Sequence, residues 1–121
     1  MVDHFQYLQE ARSLCLKILK RRIIEISLNI LLSQLKLTLD SGITIYIKYN
    51  EFEEYGYQII FSREKYDFSR FDNYDDHWDV VSRPHHFHAR NNAGVKSSPM
   101  LGIPKQDIPF LVKYLDGELD I

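Results

Sequence analysis

The chain has 121 residues, 45% hydrophobic and 26% charged, the balance of one small soluble domain with a core of its own. A formal net charge of −2 and a pI near 6.2 exclude a globally basic nucleic-acid binder, so any phosphate contact has to come from a local patch. No apolar run reaches the roughly 18 residues of a membrane helix. Met1-Val2-Asp3-His4 lacks the charged and apolar regions of a signal peptide, and the single Cys15 has no internal disulfide partner. The expectation is a cytoplasmic protein without membrane contact.

Asp3 is suited to cap a helix, with Gln6 three residues on in the manner of a capping box. Phe5, Leu8, Cys15 and Leu19 then fall near one helical face, widened by Leu16 and Ile18, so a helix is expected from about Asp3 to about Lys20. Lys17, Lys20, Arg21 and Arg22 crowd its end, either complementing the helix dipole or contacting nucleic acid. Cys15, on the apolar stripe, reads as a core residue.

From Arg22 onward the period changes to two. Ile24, Ile26, Leu28 and Ile30 alternate with polar residues, as do Leu35, Leu37 and Leu39, and then Ile43, Ile45, Ile47 and Tyr49. Asp40-Ser41-Gly42 supplies the turn residues of a hairpin between the last two runs. Residues 23–35 are also apolar enough to prolong the first helix, against which their β-branched isoleucines weigh. Tyr55, Tyr57, Ile59 and Phe61 alternate next, followed by Tyr66, Phe68 and Arg70 after a turn at Ser62–Lys65. Val80 to Ala89 offers a further extended piece, which Pro84 is expected to limit to an edge or an irregular strand.

Asn91 to Gly102 reads as a long loop, with Pro99 and Pro104 opposing regular structure. Asp107 is expected to cap a last helix with Pro109 in its first turn, Ile108, Leu111, Val112 and Leu115 on its core side, and Gly117 as its stop. The fold class is therefore α+β, a single domain of an N-terminal helix, an antiparallel meander of 4–6 strands and a short C-terminal helix. A meander leaves an exposed edge, through which two copies can pair as a homodimer.

Chemistry concentrates between Asp72 and Arg90. Four of the five histidines (His77, His85, His86 and His88) and the only tryptophan, Trp78, lie there. On an extended strand His86 and His88 share a face and His85 takes the other. Such a pair can ligate a metal, with Asp72, Asp75, Asp76 or Asp79 completing the shell, although no cysteine cluster or helical histidine pair accompanies it. The same residue types also suit metal-independent cleavage of RNA. One group deprotonates the 2′-hydroxyl, another protonates the leaving oxygen, and a cation steadies the phosphorane, with Arg83 and Arg90 flanking the histidines as candidates. Against both stands a structural role, with histidines bonded to backbone and packed on aromatic rings. Asp72-Asn73 has a matching role as a turn pair, and Trp78 reads as core or pocket wall.

The order of these pieces resembles the TumE family, toxin components of prokaryotic toxin–antitoxin pairs. The resemblance covers about residues 22–90: an alternating strand ending Leu35-Lys36-Leu37-Thr38-Leu39-Asp40-Ser41-Gly42, an aromatic strand, Asp72-Asn73, a histidine at 77, and Pro84-His85-His86 with His88. Two positions depart from the family pattern: Trp78 stands for the second histidine of an earlier pair, and Arg83 for an aromatic residue before the proline. The resemblance implies a toxin acting on RNA, with a cognate antitoxin as protein partner and no cofactor. The implied catalytic set is Asp72, Asn73, His77, His85, His86 and His88, with Arg83 and Arg90 binding phosphate. On the competing reading, a non-catalytic module binds a partner protein, and its His86 and His88 hold a metal or pack.

Overall fold

A computed structural model describes residues 3–75 and 77–121. Helix α1 spans His4–Ile18, and Asp3 caps it, one carboxylate oxygen accepting from the N–H groups of Phe5 at 2.9 Å and Gln6 at 3.3 Å. Leu8, Ala11 and Cys15 are buried along it, with Leu19 at its end. Burial pushes the Cys15 thiol up to about 12, which makes it a packing residue. Phe5 departs from the expected stripe: it is 44% exposed, its ring 4.1 Å from that of His4. Among the described residues no helix is long and apolar enough to cross a membrane.

Seven strands follow: β1 (Ile23–Asn29), β2 (Gln34–Leu39), β3 (Thr44–Tyr49), β4 (Tyr55–Ile60), β5 (Phe68–Asp72), β6 (His86–His88) and β7 (Val95–Ser97). They form one antiparallel sheet in sequence order, so the chain after α1 is an uninterrupted meander. The apolar stretch 23–29 is strand, not prolonged helix. Its alternation slips at a bulge between Ile23 and Glu25, which leaves Ile24 68% exposed. At the β2–β3 hairpin Gly42 takes φ +90°, a conformation that its missing Cβ permits.

The strand count exceeds the expected 4–6 because β7 lies within the stretch read as a loop. Its three residues are too few to show a period. Nor is β6 an edge: it lies between β5 and β7. Pro84 precedes the paired residues, so its missing N–H interrupts no ladder.

Alternation gives the sheet two different faces. Leu35, Leu37, Leu39, Ile45, Ile47, Tyr57, Ile59, Phe71 and Phe87 are buried in one core on the helical side. Helix α2 (Pro104–Leu115) closes that side, with Ile108 and Leu111 buried and Tyr114 edge-on to Phe71 and Phe87. Arg22 Nη1 and Asp116 Oδ1, 2.8 Å apart, join the chain after α1 to the end of α2.

The start of α2 differs from expectation. Pro104 is its first residue, where a fixed φ and a missing N–H cost nothing, and Pro109 falls in the second turn. Asp107 is not the cap. Its fully buried carboxylate turns back to accept from the N–H groups of Leu101 at 2.9 Å and Gly102 at 2.7 Å and from the Tyr57 hydroxyl at 2.8 Å. These bonds fasten the 98–103 segment over the core.

Candidate functional site

The opposite face of the sheet carries the polar set. In the β5–β6 register Arg70 faces His88, Phe71 faces Phe87 and Asp72 faces His86. Phe71 and Phe87 point into the core, where their rings stack at 4.5 Å. Period two therefore sends Arg70, Asp72, His86 and His88 together to the open side. Asp72 Oδ1 lies 2.9 Å from His86 Nδ1, and Asp72 Oδ2 lies 2.5 Å from Arg70 Nε and 3.6 Å from His88 Nε2. One atom from each of Asp72, His86 and His88 lies within 4.8 Å of the others, a spacing that can hold a metal ion.

The connection after β5 roofs this group. His86 Nε2 lies 3.1 Å from the carbonyl oxygens of both Tyr74 and Asp75. Carbonyls only accept, so Nε2 carries the hydrogen. Trp78 stands edge-on to His86 and His88, with ring centroids 6.1 and 5.6 Å away. The roof buries His86, whose side chain is 1% exposed, whereas that of His88 is 30% exposed and that of Arg70 34%. His88 and Arg70 can therefore meet a solute, and Asp72 and His86 act from behind them. Burial is the largest influence on His88 and lowers its pKa. The Asp72 carboxylate opposes that shift, and the nearby His86 and Arg70 add to it. The imidazole is thus neutral at pH 7, the form that accepts a proton or ligates a metal.

A cleft of about 420 Å³ opens over the group, lined among others by Tyr74, Trp78 and Asn92. Arg70 also lines a second, smaller depression with Gln34, Tyr46, Lys48 and Gln58. Lys36 neighbours it, its ammonium 5.9 Å from the Tyr46 ring centroid, and the Arg70 guanidinium lies 5.2 Å from that of Tyr74. Lys36 on β2, Lys48 on β3 and Arg70 on β5 stand on one face of the sheet, against Glu25 and Asp72 as its strand carboxylates. The chain is acidic overall, and this face carries a local basic and aromatic strip.

The remaining sequence candidates lie apart from the cluster. Asn73 holds a turn: its Oδ1 accepts from Tyr55 N at 2.9 Å and its Nδ2 donates to Glu53 O at 3.1 Å. His77 is exposed, its ring 4.6 Å from that of Trp78. His85 projects to the other side of the sheet, where its Nδ1 is 2.9 Å from the Tyr55 hydroxyl. Arg83 is exposed in the turn before β6. Arg90 is paired with Asp67 and lies over the Phe61 ring, so the cation beside the histidines is Arg70. Asp75 contributes its backbone carbonyl, Asp79 is exposed outside the ligand cluster, and Asp76 lies outside the described residues. Arg70 had a signal in the sequence, since it lies two residues before Asp72 on an alternating strand.

His85 lines a different cavity of about 390 Å³, with Tyr7, Tyr49 and Tyr55. Its polar lining is largely engaged: Asn50 with Glu54, Asn73 with Tyr55 N, and Tyr55 with His85 itself. Replacing His85 by alanine is expected to leave reactions on the open face unchanged and to lower stability by about 1 kcal/mol, one lost hydrogen bond. Parallel cleavage assays and urea titrations check this. Comparison with protein-family models, with curated proteins and with solved structures finds no match to the chain.

Proposed function

We propose that the open face of the sheet binds single-stranded RNA and that His88, Asp72 and Arg70 cleave it, as the toxin of a toxin–antitoxin pair. The observation that carries this reading is the strip of Lys36, Tyr46, Lys48 and Arg70 leading to the His88 cleft. Cations spaced along a pleated surface neutralise successive phosphates, and interleaved aromatic rings offer stacking planes for unpaired bases. Where the strip meets the cleft, His88 takes the 2′-hydroxyl proton, Asp72 orients the group from behind, and Arg70 bears the charge of the phosphorane. Tyr74 lines the same cleft, and its hydroxyl gives a proton to the departing 5′-oxygen. The resemblance to TumE toxins supports the biological setting, in which a cognate antitoxin protein restrains the activity.

The binding half is tested by titrating a fluorescent single-stranded RNA at several salt concentrations, with the wild-type chain and the double variant Lys36→Ala, Lys48→Ala. Each phosphate contact on a single strand contributes about 0.7 to the slope of log affinity against log salt. Loss of two lysines should weaken binding at low salt and flatten the slope by about 1.4. An unchanged slope would remove the strip from the RNA path.

A further inference from the structure

We propose that Asp72, His86 and His88 bind a divalent transition-metal ion of the zinc class, and that the bound ion withholds His88 from RNA. The withholding rests on the RNA-cleavage reading; the ion site does not.

The argument starts from the hydrogen on His86. Its Nε2 donates to the carbonyls of Tyr74 and Asp75, so in the neutral ring Nδ1 holds a lone pair. That lone pair lies 2.9 Å from Asp72 Oδ1, itself an acceptor. Among the described residues neither atom has a hydrogen-bond partner, although the side chains of His86 and Asp72 are only 1% and 4% exposed. Two buried acceptors this close repel unless something positive lies between them. A proton on Nδ1 is a poor answer, because the ring and carboxylate are not aligned for an N–H···O bond. A metal ion needs no such alignment along the line joining the two atoms.

The surroundings are those of a metal-binding histidine. Ligating imidazoles generally donate their second ring N–H to a carboxylate or backbone carbonyl, as His86 Nε2 does. Ligands sharing a tetrahedral zinc ion are roughly 3.3–3.5 Å apart. His86 Nδ1 lies 2.9 Å from Asp72 Oδ1 and His88 Nε2 lies 3.6 Å from Asp72 Oδ2, separations on either side of that range at the two oxygens of one carboxylate. Arg70 Nε lies 2.5 Å from Oδ2 and, like Oδ1 and His86 Nδ1, has no aligned hydrogen-bond partner among the described residues. Two imidazoles and one carboxylate suit zinc and related first-row ions, and are too poor in oxygen for magnesium or calcium. The cleft leaves the fourth position to water. The Arg70 charge beside the ion favours an exchangeable occupant over a permanent structural one. A bound ion occupies the His88 lone pair, the same electrons that accept the 2′-hydroxyl proton.

Isothermal titration of the full chain, stripped with chelator and dialysed, tests this with Zn²⁺ and Mg²⁺ as probes. One equivalent of Zn²⁺ should bind and Mg²⁺ should not. His88→Ala, at a part-exposed position that tolerates truncation, should weaken Zn²⁺ binding at least about 100-fold while circular dichroism stays unchanged. Asp72→Asn should weaken it as well. Absence of a Zn²⁺ isotherm, or equal affinity in His88→Ala, overturns the site. If Zn²⁺ binds and RNA cleavage proceeds undiminished at saturation, the withholding is overturned and the site stands. If the chain cleaves no RNA at all, only the functional reading fails, since the isotherm is read without RNA.

Discussion

Replacing His88 by alanine is expected to slow RNA cleavage by about 10²- to 10⁴-fold, the contribution of a positioned general base. His88 is the one imidazole of the Asp72 group with appreciable exposure, 30% against 1% for His86. A buried ring cannot reach a ribose hydroxyl, so His86 does not substitute for it. The fold should survive. The lost contacts are edge-on approaches to Trp78 and His86 and a long 3.6 Å approach to Asp72, and such truncations cost within about 1 kcal/mol. Expression of the variant should therefore yield soluble protein without growth arrest or transcript cleavage. Arrest equal to that of the wild-type chain would remove His88 from the reaction.

The largest effect on stability is expected at Phe71, whose truncation to alanine should cost about 3–5 kcal/mol. Its ring is fully buried, stacked on Phe87 at 4.5 Å and met edge-on by Tyr114 at 5.3 Å. Domains of this size have about 5–15 kcal/mol in all, so the loss is a large share. The position matters for function because Phe71 lies between Arg70 and Asp72, and its partner Phe87 between His86 and His88. The stack thus sets the register that places the polar group on the other face, and a slip by one residue would turn that group into the core. Urea unfolding measures the cost; a loss below about 1 kcal/mol would show that the stack does not anchor β5 to β6.

The parts of the fold legible in the sequence were those where period and turn chemistry agreed. Leu35, Leu37 and Leu39 before Asp40-Ser41-Gly42, and Ile45 and Ile47 after it, mark a hairpin whose inward residues are all buried. Asp3 caps α1 as its side chain predicts. Val95-Lys96-Ser97 lacked a signal because it pairs through its backbone at the end of the sheet, and two of its three residues are exposed. Asp107 differs for another reason: an aspartate near a helix start suits a cap, and only the packing of 98–103 shows that its carboxylate serves the preceding loop.

The site was legible in the same uneven way. Alternation alone separates His85 from His86 and His88, and the structure has them on opposite sides of the sheet. Proximity in sequence points to Arg83 and Arg90 as the cation, whereas strand pairing sets Arg70 opposite His88 and Asp67 captures Arg90. The basic strip was invisible because Lys36, Lys48 and Arg70 are far apart in sequence. Only the register of β2, β3, β4 and β5 aligns them on one face.

The most direct test of the central claim is the chemistry of the RNA ends. A labelled single-stranded RNA is incubated with the purified chain in chelator, alongside the same oligonucleotide carrying one 2′-deoxy residue at the cleaved position. The predicted result is cleavage of the RNA to 2′,3′-cyclic phosphate ends and no cleavage at the 2′-deoxy position. Intact RNA, or equal cleavage at the deoxy position, would contradict the account.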